Sequence, residues 1–386
     1  MMKICVITGT RAEYGLMQYL IGLLSKDDLV ELQLIVTGMH LSPEFGLTYR
    51  EIEKDGYVIN KKIEMLLSSD SEIGISKSMG LAQISFAEAY NELKPDIIVV
   101  LGDRFEIFSA VAAAMISKIP VAHLHGGEAT EGLIDEPIRH SITKMSHLHF
   151  TATEIYRNRV IQMGEQPNTV FNYGTPLIDN IFHLKLLDRT EFEESIDFKL
   201  NKKNILITFH PVTLENNTAE VQFQELLDAI SELQETNFIF TKPNSDTNGR
   251  IIIQQIDDFV AKNPQIACSF KSLGQLRYLS GLKHVDVVLG NSSSGLTEAP
   301  SFNCATVDIG DRQEGRIKAE SVISCKPEKK AIVEAIQLAI SEEFKTKLKG
   351  VKNPYGNGGA SEKIIDTIKK YNYSKILKKK FYDIKF

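Results

Sequence analysis

Short runs of consecutive apolar residues recur along this chain and alternate with longer stretches whose apolar positions return every three or four residues. That alternation predicts buried strands joined by amphipathic helices, the pattern of a parallel α/β sheet. In the first half, strands are expected at Lys3–Ile7, Leu32–Val36, Ile97–Leu101, Val121–Leu124 and His149–Thr151. Helical patterning covers Gly15–Leu24 and Ala82–Leu93, and the Ala110–Ile116 run reads as a helix feeding the strand at Val121. Gly174-Thr-Pro-Leu-Ile reads as a hinge, and the charged segment Lys185–Lys203 precedes a fresh start. Strands then follow at Ile205–Thr208, Phe238–Phe240, Val285–Leu289 and Ala305–Val307, with a helix over Thr218–Leu233. Asn357-Gly358-Gly359 breaks the chain before a last helix, and a basic Lys378-Lys379-Lys380 follows. The expected fold is α/β, with two Rossmann-like parallel-sheet domains facing each other across a cleft and ligand at the C-terminal ends of the strands.

Composition narrows this picture by exclusion. The 386 residues are enough for two domains with separate cores, and a net charge of −6 offers no overall basic field for nucleic acid. Cys5, Cys268, Cys304 and Cys325 lie far apart with no C-x-x-C spacing, so they read as small hydrophobes in a reducing compartment. The apolar start M-M-K-I-C-V-I-T is too short for a signal peptide, and no run reaches transmembrane length. A cytoplasmic protein without a membrane partner is expected.

Chemistry concentrates between Val121 and His140, where V-A-H-L-H-G-G-E-A-T-E-G-L-I-D-E-P-I-R-H holds three histidines, four acids and an arginine. Packing does not need so many ionisable groups at a strand end, whereas acid–base chemistry does. His123 and His125 would share a strand face, but no third ligand stands at zinc spacing, so a metal is not expected. One of the two suits a satisfied core histidine. Asp135 and Arg139, four apart, would lie on one helical face. Gly126, Gly127 and Gly132 give a backbone that a ligand can approach closely.

Other expected strand ends carry charge too. Thr8-Gly9-Thr10-Arg11 offers a tight glycine turn, helix-start amides and an arginine for an anion, without the G-x-G-x-x-G of a dinucleotide site. Gly102-Asp103-Arg104 places Asp103 at a strand exit, where it would otherwise serve as an N-cap. The later strands end in Phe209-His210-Pro and in Gly290-Asn-Ser292-Ser293-Ser294-Gly, a phosphate cradle at a helix start. Glu298, one turn on, could accept hydrogen bonds from ribose hydroxyls, and Arg312 and Arg316 add positive charge.

In order, G-T-R-A-E-Y-G, V-T-G-M-H-L, L-G-D-R-F-E, H-G-G-E…I-D-E-P-I-R-H-S-I-T-K, F-H-P-V-T, G-N-S-S-S-G and G-D-R-Q-E-G-R span most of the chain. This ordered set resembles the hydrolysing UDP-N-acetylglucosamine 2-epimerase family of sialic- and legionaminic-type sugar biosynthesis. The resemblance implies a GT-B-like fold with domains 1–176 plus 366–386 and 177–365, the C-terminal helix crossing back to the first. It implies elimination of UDP from a UDP-2-acetamido sugar and hydration of the glycal with inversion at C2. The substrate would be UDP-GlcNAc or UDP-2,4-diacetamido-2,4,6-trideoxyglucose, and the protein a dimer or tetramer needing no cofactor. By position, Asp103, Glu128, Asp135 and His210 fall at catalytic places, as does His125 where some members carry an acid. Arg11, His40, Arg104, Arg139, Ser292, Ser293, Glu298 and Arg312 would contact the UDP-sugar. A non-hydrolysing 2-epimerase would typically read G-T-R-P-E in the first loop, where this chain has Ala12. A GT-B glycosyltransferase or a silent UDP-sugar sensor stands further away.

Overall fold

The computed structural model describes residues 1–67, 71–129, 134–211, 219–243 and 249–384. The chain divides into two compact units, Met1–His183 with Tyr355–Phe386 and Leu184–Pro354.

The first unit runs β1 (Met2–Thr8), α1 (Arg11–Ser25), β2 (Val30–Thr37), α2 (Tyr49–Lys54), β3 (Lys61–Ile63), α3 (Glu72–Leu93) and β4 (Ile97–Leu101). It continues through α4 (Phe105–Ile116), β5 (Val121–Leu124), α5 (Asp135–Met145), β6 (Leu148–Thr151), α6 (Glu154–Gln162), β7 (Val170–Asn172) and α7 (Pro176–His183). Its seven strands order β3-β2-β1-β4-β5-β6-β7, all parallel. Both faces of β1 are covered, as a parallel sheet requires. Ile4 and Val6 pack with α1 residues on one side, while Cys5 and Ile7 pack with Phe86, Ile107 and Val111 on the other.

The second unit holds α8 (Arg189–Ile196), β8 (Lys203–Thr208), α9 (Ala219–Ile230), β9 (Thr236–Thr241), α10 (Gly249–Lys262), β10 (Ala267–Phe270) and α11 (Gly274–His284). Then come β11 (Val287–Gly290), α12 (Ser294–Thr297), β12 (Ala305–Ile309), β13 (Val322–Cys325), α13 (Lys329–Ala339) and α14 (Glu342–Leu348). Its order β10-β9-β8-β11-β12-β13 repeats the doubly wound arrangement. The chain then returns to the first unit with α15 (Ala360–Lys370) and α16 (Tyr373–Ile376).

These divisions fall after His183 and before Tyr355, not at residues 176 and 365. Two features hold the return in the first unit. Thr175 donates its N–H to Tyr355 O at 2.9 Å beside Gly174, whose added Cβ would stand 2.8 Å from that oxygen. Asp179 on α7 accepts from the amides of Ala360 and Ser361 at 3.1 and 2.7 Å, anchoring the start of α15. All four cysteines are free, and no helix of the described residues is long and apolar enough to cross a membrane.

Candidate active site

In the first unit the strand order reverses between β1 and β4, so their C-terminal ends flank the crevice where doubly wound sheets take ligands. Beyond β1, Thr10 caps α1 by accepting from Glu13 N at 3.2 Å, and the Glu13 carboxylate accepts from Gly9 N at 2.7 Å. This is a Thr-x-x-Glu start whose return bond falls one residue early. The expected tight-turn role of Gly9 is corrected by its surroundings: its φ is not positive, and an added Cβ would stand 2.6 Å from Glu106 Cγ. The glycine makes room for a buried acid. Glu106 lies in the first turn of α4 and accepts from Arg104 Nε at 2.7 Å. Glu13 Oε1 and Glu106 Oε2 are both buried without a hydrogen-bond partner. Burial, and then the charge of Glu106, push the Glu13 carboxyl from 4.5 up to about 8.

This shift has a measurable sign. An unfolded chain releases the Glu13 proton near 4.5, whereas the folded protein keeps it to about 8. Folding therefore takes up a proton in that window, and Glu13 subtracts increasingly from stability as pH rises through it. A Glu13→Gln variant should gain stability relative to wild type between pH 5 and 8, with a level difference below pH 4.5. Denaturant unfolding of both proteins across that range checks this, and a difference that does not move with pH would refute it.

Asp103 follows Gly102, which takes a left-handed φ of 88°. It does not cap α4, because Arg104 occupies the cap position. Its carboxylate instead meets Arg139, with Nε at 3.0 Å and Nη2 closer still. Arg139 is 1% exposed and also donates to Glu128 O at 2.9 Å and to Glu136 Oε2 at 2.8 Å. The expected Asp135–Arg139 spacing does place both residues on α5, but the guanidinium pairs with Asp103 and Glu136. Burial, then the Asp103 charge, raise the Asp135 carboxyl, while Arg104 and Arg139 pull the other way.

The two histidines separate. β5 stops at Leu124 and His125 turns away with φ 66°, so they do not share a strand face as expected. His123 is buried, 2.8 Å from Gly102 O and 3.2 Å from Thr143 Oγ1, and burial pushes its ring down to about 3. It is the satisfied core histidine. His125 places Nδ1 3.0 Å from Glu128 Oε1 and Nε2 2.9 Å from Thr175 Oγ1. Gly126 and Gly127 serve packing rather than ligand approach, since added Cβ atoms would stand 3.0 Å from Thr143 Oγ1 and 2.4 Å from Tyr156 O. Gly132, with the rest of 130–133, lies outside the described residues.

His40 is fully buried between Thr8 Oγ1 at 3.1 Å and Thr48 Oγ1 at 2.8 Å, and burial lowers it to about 4. Arg11 starts α1 on the surface, 3.2 Å from Glu51. Among the described residues, no group of three or more His, Cys, Asp or Glu could hold a metal ion.

The second unit reverses between β8 and β11, and Asn291 bridges the two exits. Its Oδ1 accepts from His210 N at 2.7 Å and its Nδ2 donates to His210 O at 2.8 Å. Arg312 and Gln313 donate to Asn291 O at 2.9 and 2.8 Å. Burial, and then the Arg312 charge, lower His210 to about 4, so it is neutral at physiological pH. Gly290 has φ 136°, and an added Cβ would stand 2.0 Å from Thr208 O, so the two exits approach only with glycine there. Ser292 and Ser293 precede α12, which is a single turn of four residues. Glu298 therefore sits at the C-terminal end of that turn, and burial lifts its carboxyl to about 7. Val212 and Thr213 of the F-H-P-V-T motif lie outside the described residues.

The sequence reading overlooked Glu13, Glu106, Thr175 and Asn291. Thr10-x-x-Glu13 was a readable capping signal, and Asn291 stands inside the quoted serine motif. Nothing local announces Thr175, 50 residues from the histidine it meets.

The comparisons with known proteins follow the same lines. A family model described as UDP-N-acetylglucosamine 2-epimerase matches residues 23–369. The chain is 43% identical to the GDP/UDP-N,N'-diacetylbacillosamine 2-epimerase (hydrolyzing) of Campylobacter jejuni subsp. jejuni, over 99% of each. It is 41% identical to the polysialic acid biosynthesis protein P7 of Escherichia coli, covering 100% of this chain and 98% of that one. Its fold resembles the crystal structure of a Neisseria meningitidis UDP-GlcNAc 2-epimerase bound to UDP-GlcNAc, with TM-score 0.81 at 22% identity, covering 96% and 100% of the two chains. With the family pattern running along nearly all of a GT-B-like pair of parallel sheets, this chain belongs to the UDP-N-acetylglucosamine 2-epimerase family.

Proposed function

We propose that this hydrolysing UDP-sugar 2-epimerase takes UDP-2,4-diacetamido-2,4,6-trideoxyglucose and releases UDP and the free 2-epimeric sugar. The substrate reading rests on the full-length 43% likeness to a hydrolysing enzyme named for that diacetamido sugar. The chemistry rests on the carboxylates at the β4 and β5 exits. Removal of the C2 proton and rupture of the C1–O bond give the glycal and UDP. Water then supplies hydroxyl to C1 and a proton to C2 from the opposite face.

Asp135 suits the base, because burial and a neighbouring carboxylate raise its proton affinity. Asp103, oriented by Arg139, fixes the second carboxylate of the set. His125, between Glu128 and Thr175, can relay the returning proton. In the second unit, His210, Ser292, Ser293 and Arg312 are the diphosphate set and Glu298 the ribose contact; within the first, Arg11 and Arg104 offer guanidinium groups to an anion.

UDP-GlcNAc is the second reading, favoured by the 41% likeness to a polysialic acid biosynthesis protein. Side-by-side kcat/KM on the two UDP-sugars decides. The diacetamido substrate should win by about 100-fold, since the two differ at the C4 and C6 substituents. Equal values, or preference for UDP-GlcNAc, would overturn the substrate reading.

A further inference from the structure

Residues 369–380 contain six lysines and no acid, in a chain whose net charge is −6. This segment walls a cavity of about 550 Å3 lined by Lys370, Lys375, Lys378, Lys379, Lys380 and His147. The volume is that of a small-molecule site. Glu165 also lines it, but its carboxylate is taken by Lys144 at 2.6 Å, Lys379 at 2.8 Å and His149 at 3.0 Å. Among the described residues, Lys370, Lys375, Lys378 and Lys380 pair with no acid. Clustered ammonium groups repel one another, and an anion between them removes that repulsion.

The cavity is remote from the acid–base residues within its own unit. His147 immediately precedes β6 and Asn168 and Thr169 precede β7, so it lies at the N-terminal ends of strands whose other ends face the chemistry. A physical link joins the two ends. Lys379 Nζ donates to the carbonyls of Lys144 and Ser146 at 2.8 and 2.5 Å, closing the C-terminal end of α5. Asp135 opens that same helix, and Arg139 within it holds Asp103.

We propose that this cavity binds a small organic polyanion carrying two or more phosphate or carboxylate groups, and that its occupancy is transmitted along α5 to the Asp103–Arg139 pair. A bound polyanion competes with Glu165 and the helix carbonyls for Lys379. It favours whichever setting of α5 accompanies the released lysine.

The test is calorimetric titration of the full chain with pyrophosphate and, separately, citrate, both in saturating UDP so that a nucleotide site is filled. One mole of probe should bind per chain, and the two probes separate phosphate from carboxylate preference. Lys375→Glu/Lys378→Glu, both residues being exposed, should weaken binding about tenfold or more. That variant should leave kcat and KM unchanged without probe and abolish the shift in kcat or KM that the probe causes in wild type. If charge reversal lowers the melting temperature, Lys375→Gln/Lys378→Gln serves instead. Binding that the lysine variants do not weaken overturns the site, as does no binding under saturating UDP. Binding to phosphatidylserine vesicles in place of both probes also overturns it. Binding that leaves kcat and KM untouched overturns the link through α5. The binding arm stands whether or not the substrate reading does.

Discussion

Replacing Asp135 by asparagine should lower kcat by about three orders of magnitude while leaving the melting temperature unchanged or slightly raised. The two halves of that expectation come from one environment. Asp135 is half-buried and forms no ion pair among the described residues, and burial and the nearby Asp103 charge raise its proton affinity. A carboxylate held this way is a stronger base than one in water, which a proton at C2 demands. Neutralising it removes the cost of burying a charge and the repulsion from Asp103, so the fold should not lose stability. Steady-state UDP release and a thermal melt on the same preparation check both halves. A variant that keeps wild-type kcat would remove Asp135 from the chemistry. One that loses activity only by unfolding would make it a structural residue.

Arg139→Met should carry the larger stability cost, roughly 3 kcal/mol. This is the low end for a broken buried pair, because Asp103 and Glu136 keep 29% and 26% of their side chains exposed. In a unit of this size that is a fall of about 6–12 °C in the melting temperature. The guanidinium is fully enclosed and fastens three parts of the chain: the β4 exit at Asp103, the β5 exit at Glu128 O and α5 itself. Methionine fills the space but leaves two carboxylates facing each other. Asp103 then loses its orientation, so kcat should also fall, by about 10- to 100-fold. Urea unfolding at pH 7 measures the first effect. A cost below about 1 kcal/mol would mean that the cluster is solvated and the pair marginal.

How much of this was legible in the sequence depended on burial. The central strands β1, β4, β8 and β12 read clearly because both faces are covered and most of their residues are buried, β4 being apolar throughout. The four strands missed, β3, β7, β10 and β13, are the four sheet edges. Each is short and only partly buried, and Lys61-Lys62-Ile63 carries a single apolar residue, so neither periodicity nor composition marks them. The helix α8 lay within a segment read as a charged connection, although Asp188 and Glu191 form a complete capping box there.

The site shows the same division. Charged residues at strand exits could be named from the sequence, because chain order puts them next to apolar runs. Their partnerships could not. Arg139 lies four residues from Asp135 in sequence but grips Asp103, 36 residues away, because α5 packs across the exit of a neighbouring strand. Gly9 reads as a tight turn and Gly127 as backbone that a ligand can approach, yet each is required by a side chain or carbonyl arriving from elsewhere in the fold.

The proposed reaction turns on an elimination that breaks the C2–H bond and sends the nucleotide away. The direct measurement is turnover of the diacetamido UDP-sugar in deuterated water, following UDP and the sugar by NMR. One UDP should appear per free sugar, with deuterium at C2 of the inverted product. Accumulation of a 2-epimeric UDP-sugar without UDP release, or a released sugar still carrying protium at C2, would contradict it.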